Sequence, residues 1–268
     1  MHKLIDDLII LSIDAGKAIL NIYESDFDYQ IKEDASPLTE ADKISHQIIY
    51  KKLTELTPDI PIISEEDSSI PFHIRSLWKK YWLIDPLDGT KEFINKNGEF
   101  TVNIALIEDN RPILGIIYIP ITKETYWGSN QIGSFYTKEN EEPIKMSISK
   151  GTQNYIRIMA SRSHPSDALE SLLEQIGRYK IINRGSSLKF CLIASGYADV
   201  YPRFGPTSEW DTAAGDAIVR FSGGHICDLE NNPLLYNTKE SFINPYFIVS
   251  RNKKEAENLI KKIRNIID

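Results

Sequence analysis

The chain of 268 residues has only two cysteines, Cys191 and Cys227, far apart and outside any short ligand spacing. Neither a disulfide framework nor a zinc cluster can be built from them, so they read as small buried hydrophobes in a reducing compartment. Positive charge is also short: 31 Lys and Arg stand against 38 Asp and Glu, a net charge of −7. That balance argues against binding a nucleic-acid polymer and confines any affinity for phosphate to a local site. Long apolar runs are missing. No stretch approaches the roughly 18 to 20 apolar residues of a membrane span, and Asp6 and Asp7 interrupt the start where a secretory signal needs an apolar core. Repeats and low-complexity segments are absent, which removes solenoids. Ser163-His164 and Ser186-Ser187 lack a G-x-S-x-G elbow, Gly223-Gly224 reads as a helix stop without the phosphate-loop pattern, and His2, His46, His73, His164 and His225 have no metal-ligand spacing and read as surface or packing. The expected location is the cytoplasm, with a loosely attached form at the inner face of the cell membrane left open.

What is present, 41% hydrophobic and 26% charged residues, suits a globular chain with one large core or two fused ones. Leu4, Leu8, Leu11, Ala15, Ala18, Ile19 and Ile22 recur at helical spacing. A second helical pattern runs from Thr39 through Ile44, Ile48, Ile49 and Leu53, with Thr39-Glu40-Ala41-Asp42 as a capped start. Strand patterns follow over residues 60–63, 81–84, 101–107 and 113–119, the last two as a hairpin across 108–112. A polar stretch over 149–154 marks a boundary, after which β, α and β patterns occupy 156–160, 167–176 and 180–182. The predicted class is α/β (α+β), a layered helix-sheet sandwich, with residues 1–150 as a first domain and 151–268 as a smaller second one.

Chemistry concentrates in Trp82-Leu83-Ile84-Asp85-Pro86-Leu87-Asp88-Gly89-Thr90, an apolar strand delivering two carboxylates at its end. Pro86 and Gly89 are expected to shape a turn that lets Asp85 and Asp88 converge on one hard cation, which suits magnesium. Backbone N–H groups of Gly89 and Thr90 would hold phosphate oxygens if a helix opens there. Ser64-Glu65-Glu66-Asp67 adds carboxylates at another strand end, and Asp211 opens an Ala-rich helix in Trp210-Asp211-Thr212-Ala213-Ala214-Gly215. Each has a plain structural alternative: an Asp-rich turn, a solvated acidic loop, and for Asp211 a helix N-cap. Taken together, Glu65, Asp85, Asp88 and Asp211 could supply four carboxylates to one centre, whose mutual repulsion requires cations.

In order and spacing these segments, with Leu38-Thr39-Glu40-Ala41-Asp42, resemble the lithium-sensitive, magnesium-dependent phosphatases that include inositol monophosphatase and fructose 1,6-bisphosphatase. Asp88-Gly89-Thr90-Lys91-Glu92-Phe93, Thr101-Val102-Asn103, Ser161-Arg162-Ser163-His164, Gly185-Ser186-Ser187-Leu188-Lys189 and Tyr201-Pro202-Arg203 narrow the likeness to bacterial 3′(2′),5′-bisphosphate nucleotidases of the CysQ type. The resemblance implies hydrolysis of adenosine 3′,5′-bisphosphate to AMP and phosphate, clearing a by-product of sulfate activation.

It implies metal ligands at Glu65, Asp85, the Leu87 carbonyl, Asp88 and Asp211, for two magnesium ions and a third, weaker one near Glu65. Thr90 as relay and Asp42 as base would activate water, making Asp42, Thr90 and Glu65 the catalytic group. Substrate contacts are expected from these ligands other than Asp85, from Gly89 and Thr90, and from Ser187, Lys189 and Arg203 on the nucleotide side. For Arg203 the expected role is pairing with a second phosphate or an adenine face, against the alternative of a surface charge. The implied partner is a small nucleotide, with the protein a monomer or homodimer. Two other readings stand beside this one: an inositol or sugar phosphatase using the same centre, and a nucleotide or metal sensor without turnover.

Overall fold

The computed structural model describes residues 2–25, 27–31, 37–148, 153–161 and 167–267. The boundary drawn at 150/151 and the quoted Arg162, Ser163 and His164 lie outside them.

Helix α1 (His2–Tyr23) buries Ile5, Leu8, Leu11, Ala15 and Ile19, the stripe its sequence period predicts. A short ribbon, β1 (Tyr29–Ile31) and β2 (Pro37–Thr39), leads into α2 (Glu40–Leu56). Thr39 caps α2 as expected, and Asp42 closes the capping box. Then come β3 (Ile62–Ser64), α3 (Phe72–Arg75), β4 (Lys80–Asp88), α4 (Thr90–Ile94), β5 (Thr101–Glu108) and β6 (Arg111–Ile119). Strands β7 (Glu124–Ser129), β8 (Gly133–Lys138) and β9 (Ile144–Met146) follow. The second half runs β10 (Ile156–Ser161), α5 (Asp167–Gln175), β11 (Tyr179–Arg184), α6 (Leu188–Ala194), β12 (Val200–Arg203), α7 (Glu209–Phe221), β13 (His225–Asp228), β14 (Phe247–Ser250) and α8 (Lys253–Ile267).

Strands β3 to β9 form a seven-stranded sheet in chain order, and the other sheet of five has the order β11-β10-β12-β14-β13. Strand alternation sorts each sheet's side chains to two faces. On the first sheet, Trp82, Ile84, Ile104, Leu106 and Ile116 pack beneath α1 and α2. Their neighbours Tyr81, Leu83, Ala105, Ile107 and Ile117 face α6 and α7, and the same core continues into Tyr201, Phe247 and Val249 of the second sheet. Ile158, Val200, Cys227 and Ile248 on that sheet's far face meet α5 and α8. The result is five alternating layers, helix, sheet, helix, sheet, helix, in agreement with the layered sandwich expected from sequence. The middle helices are shared: α7 sits so close to the first sheet that a Cβ on Gly115 would lie 2.3 Å from the Ala214 carbonyl oxygen.

Several local readings hold. The β5–β6 hairpin turns on Asp109 and Asn110, both with positive φ. Gly223, at φ 96°, follows the end of α7, and both cysteines are free and buried. Others shift or were not anticipated. The strand expected over 60–63 lies over Ile62–Ser64, because Pro58 and Pro61 delay it. Strands β7 to β9 and the C-terminal β13, β14 and α8 were not foreseen; β13 and β14 are four residues each, too short to establish a period. Among the described residues no helix is long and apolar enough to cross a membrane.

Candidate metal-dependent active site

The ends of β3 and β4 from the first sheet meet α6, α7 and β12 of the second half at a cleft of about 230 Å³. Strand β4 supplies Asp85 and Asp88, and the sequence reading credited Pro86 and Gly89 with their convergence. The register shows what Pro86 and Gly89 alone do not: Asp85 pairs with Asn103 and Asp88 with Thr101, so β4 uses three steps where β5 uses two. This bulge offsets the alternation that would otherwise aim carboxylates three residues apart at opposite faces. Both therefore line the same cleft. Gly89 follows at φ 92°, where an added Cβ would lie 3.0 Å from the Glu99 carbonyl oxygen.

Glu65 enters from the end of β3, its N–H donating to the Ile84 carbonyl at 3.2 Å. Helix α2 fixes both strand ends: Ser45 Oγ donates to the Pro86 carbonyl at 2.6 Å, and His46 Nδ1 lies 2.9 Å from Ser64 Oγ. His46, read from sequence as surface or packing, thus helps to place the residue before Glu65. Asp211 comes from the first turn of α7. It is not the N-cap, which is Ser208, but the third helical residue, accepting the Ser208 N–H at 2.9 Å.

Carboxylate oxygens of Glu65, Asp85 and Asp211 lie within 4.8 Å of one another. Burial, then the charges of Glu65, Asp88 and Asp211, holds the Asp85 carboxyl well above the usual carboxylate range. Burial and the charges of Asp88 and Glu65 do the same to Asp211, against the Ser208 bond and Arg203. Such a cluster is stable as anions only around cations, and an all-oxygen donor set of this kind suits a hard divalent ion. The residues fit a metal. Asp88 contributes charge to this cluster while its Oδ2 accepts Ser186 Oγ at 2.7 Å and the Ser187 N–H at 2.5 Å.

Thr90 and Asp42 meet as the sequence reading anticipated: Thr90 Oγ1 lies 3.1 Å from Asp42 Oδ1. The Leu87 carbonyl is a longer second acceptor at 3.4 Å. Asp42 Oδ2 takes the Thr39 N–H at 2.7 Å and its hydroxyl at 2.6 Å, so the capping box that starts α2 also aims the other oxygen at Thr90.

On the opposite wall Arg203 is 9% exposed rather than on the surface. Its Nη2 donates to the Pro206 carbonyl at 2.8 Å, and its buried Nε has no hydrogen-bond partner. Ser187 and Lys189 also line the cleft, but their polar atoms turn into the protein. Ser187 Oγ donates to Asn103 Oδ1 at 2.9 Å, and Lys189 Nζ to the carbonyls of Ser186 and Arg184. Sequence reasoning overlooked the roles of Thr101 and Asn103. Their signal was two polar residues at alternating positions of an apolar strand, and both are buried.

A family model described as the inositol monophosphatase family matches residues 2–268. The chain belongs to that family. The 3′(2′),5′-bisphosphate nucleotidase CysQ of Salmonella typhimurium is 46% identical over 242 residues, 90% of this chain and 96% of that protein. A crystal structure of CysQ from Bacteroides thetaiotaomicron, called a bacterial member of the inositol monophosphatase family, superposes with a TM-score of 0.79 at 40% identity, covering 90% of this chain and 95% of that one. An inositol monophosphatase from Thermotoga maritima shares the fold at 21% identity, with a TM-score of 0.79 and 100% of this chain covered. Family membership and the acidic cluster agree on a metal-dependent site.

Proposed function

We propose that this protein is a magnesium-dependent 3′(2′),5′-bisphosphate nucleotidase that converts adenosine 3′,5′-bisphosphate to AMP and phosphate, clearing a by-product of sulfate activation. The observation that carries the reading is the Asp42–Thr90 pair at 3.1 Å, with Asp42 buried behind a Thr90 that lines the same cleft as the Glu65, Asp85 and Asp211 carboxylates. A sensor without turnover has no use for such a pair. The substrate follows from relatives named bisphosphate nucleotidases at 44% to 46% identity and from the cation of Arg203 in the cleft.

Glu65, Asp85, the Leu87 carbonyl, Asp88 and Asp211 would hold two magnesium ions, with a third, weaker site near Glu65. When bound, these ions acidify water and stabilise charge on the phosphoryl and leaving oxygens. Thr90 gives its proton to Asp42, the shorter and charged acceptor, which leaves its own oxygen lone pairs to accept from an attacking water. Asp42, pinned through Oδ2, is the base that receives the proton through this relay. The N–H groups of Gly89 and Thr90 face the phosphate, and Arg203 pairs with the phosphate that is not removed.

The test is phosphate release from adenosine 3′,5′-bisphosphate and inositol 1-phosphate at matched concentration, with magnesium, with chelator, and with lithium. Preference for the nucleotide, lost with chelator and reduced by millimolar lithium, is the expected result. Preference for inositol phosphate would overturn the substrate assignment, and silence on both would overturn the enzyme.

A further inference from the structure

Lys189 is 5% exposed, unusually deep for an ammonium. A charge so far from water must be met by acceptors. It meets two backbone carbonyls, those of Ser186 at 2.6 Å and Arg184 at 3.3 Å, and lies 5.2 Å from the Tyr201 ring centroid. The loop it braces joins β11 to α6 and carries Ser186 at φ 53°, a left-handed backbone that a residue with a Cβ adopts only when held there. From that conformation Ser186 Oγ and the next N–H, that of Ser187, both reach Asp88 Oδ2. Asn103 Nδ2 reaches the same oxygen at 3.5 Å, and Oδ1 takes none of these bonds.

The loop is seated at further points on β5 and the segment just before it. Gly185 N–H donates to Glu99 Oε2 at 2.7 Å, and Thr101 Oγ1 lies 2.8 Å from the hydroxyls of both Ser186 and Ser187. A segment of the second half is thereby clamped onto one carboxylate of the first.

We infer that Lys189 is a positioning residue for a divalent-cation ligand: by bracing the loop at residues 184–186 it holds Ser186 and Ser187 against Asp88 Oδ2 and presents the other oxygen to the metal. The inference rests on the reading of Asp88 as a metal ligand. It reassigns Lys189 from nucleotide contact to support, since its hydrogen bonds run into the loop. Partners that orient a ligating carboxylate are part of a metal site's affinity.

Magnesium chloride titrated calorimetrically into chelator-stripped protein, without substrate, tests this on the wild type, Lys189→Met, Lys189→Arg, Ser186→Ala and the double variant Lys189→Met/Ser186→Ala. Lys189→Met and Ser186→Ala should each raise the dissociation constant about tenfold or more. The double variant should be weaker than the worse single one by no more than about threefold, because both changes break one clamp. Lys189→Arg should restore most of the affinity. In turnover, Lys189→Met should recover at saturating magnesium with an unchanged KM for adenosine 3′,5′-bisphosphate. Unchanged magnesium affinity with a raised KM would make Lys189 a substrate contact and overturn the inference, as would full additivity. If Lys189→Met does not fold, unchanged affinity in Ser186→Ala overturns it. Failure of all five proteins, wild type included, to bind magnesium would instead sink the metal reading beneath it.

Discussion

Asp42 accepts the Thr90 hydroxyl through Oδ1 while its Oδ2 closes the capping box of α2 on Thr39. The carboxylate that starts the helix is thus also the proposed base, with each oxygen assigned to one task. Thr90→Val should lower kcat by about 100-fold or more with little change in KM, because it removes a proton path rather than a binding contact. Thr90→Ser should retain most of the activity. Asp42→Asn should match the loss in kcat and also cost about 1 kcal/mol of stability through the weakened cap, measured by steady-state kinetics and urea denaturation.

Asp85 is buried among carboxylates that raise its proton affinity. Asp85→Asn should lower turnover by more than about 100-fold yet melt, in chelator, no lower than the wild type, since one repelling charge is gone. In magnesium the wild type should gain thermal stability and the variant should gain less. Parallel melting curves with chelator and with magnesium check both halves; a fully active variant would remove Asp85 from the centre.

Arg203 points at substrate choice. Arg203→Met should lower kcat/KM for adenosine 3′,5′-bisphosphate about tenfold or more, while inositol 1-phosphate changes little. Equal losses on both substrates would show that the side chain serves the wall of the cleft and not a second phosphate.

Burial pulls the Lys189 ammonium down to about 8 from its ordinary 10.5, with Asp88 opposing and Arg203 adding to the shift. Because the folded protein gives up this proton before the unfolded chain does, the unfolded chain binds more protons between those two values, and stability rises with pH across that window. Relative to Lys189→Met, the wild type should gain up to about 1.4 kcal/mol per pH unit between pH 8 and 10.5. Urea denaturation of both proteins along that range measures the difference.

Gly115 and the Ala214 carbonyl fix how deeply α7 seats between the sheets. Gly115→Ala should destabilise by about 1 to 3 kcal/mol, seen as a lower urea midpoint, and should weaken magnesium binding as well because α7 carries Asp211.

Much of this site was legible in the residue order. Asp85, Asp88, Glu65 and Asp211 stand in short motifs at strand and helix ends, where the local chain already presents carboxylates and where period and capping chemistry act over three or four residues. The start of α2 at Thr39, the hairpin at Asp109-Asn110 and the stop at Gly223 were readable for the same reason. Tertiary structure decided the rest. The bulge that turns Asp85 and Asp88 to one cleft depends on pairing with β5. The clamp on Asp88 Oδ2 comes from a loop 98 residues farther along the chain, and no local pattern encodes a bond made at that separation. Sequence set which groups could carry the chemistry; packing of α7 between two sheets set which of them meet.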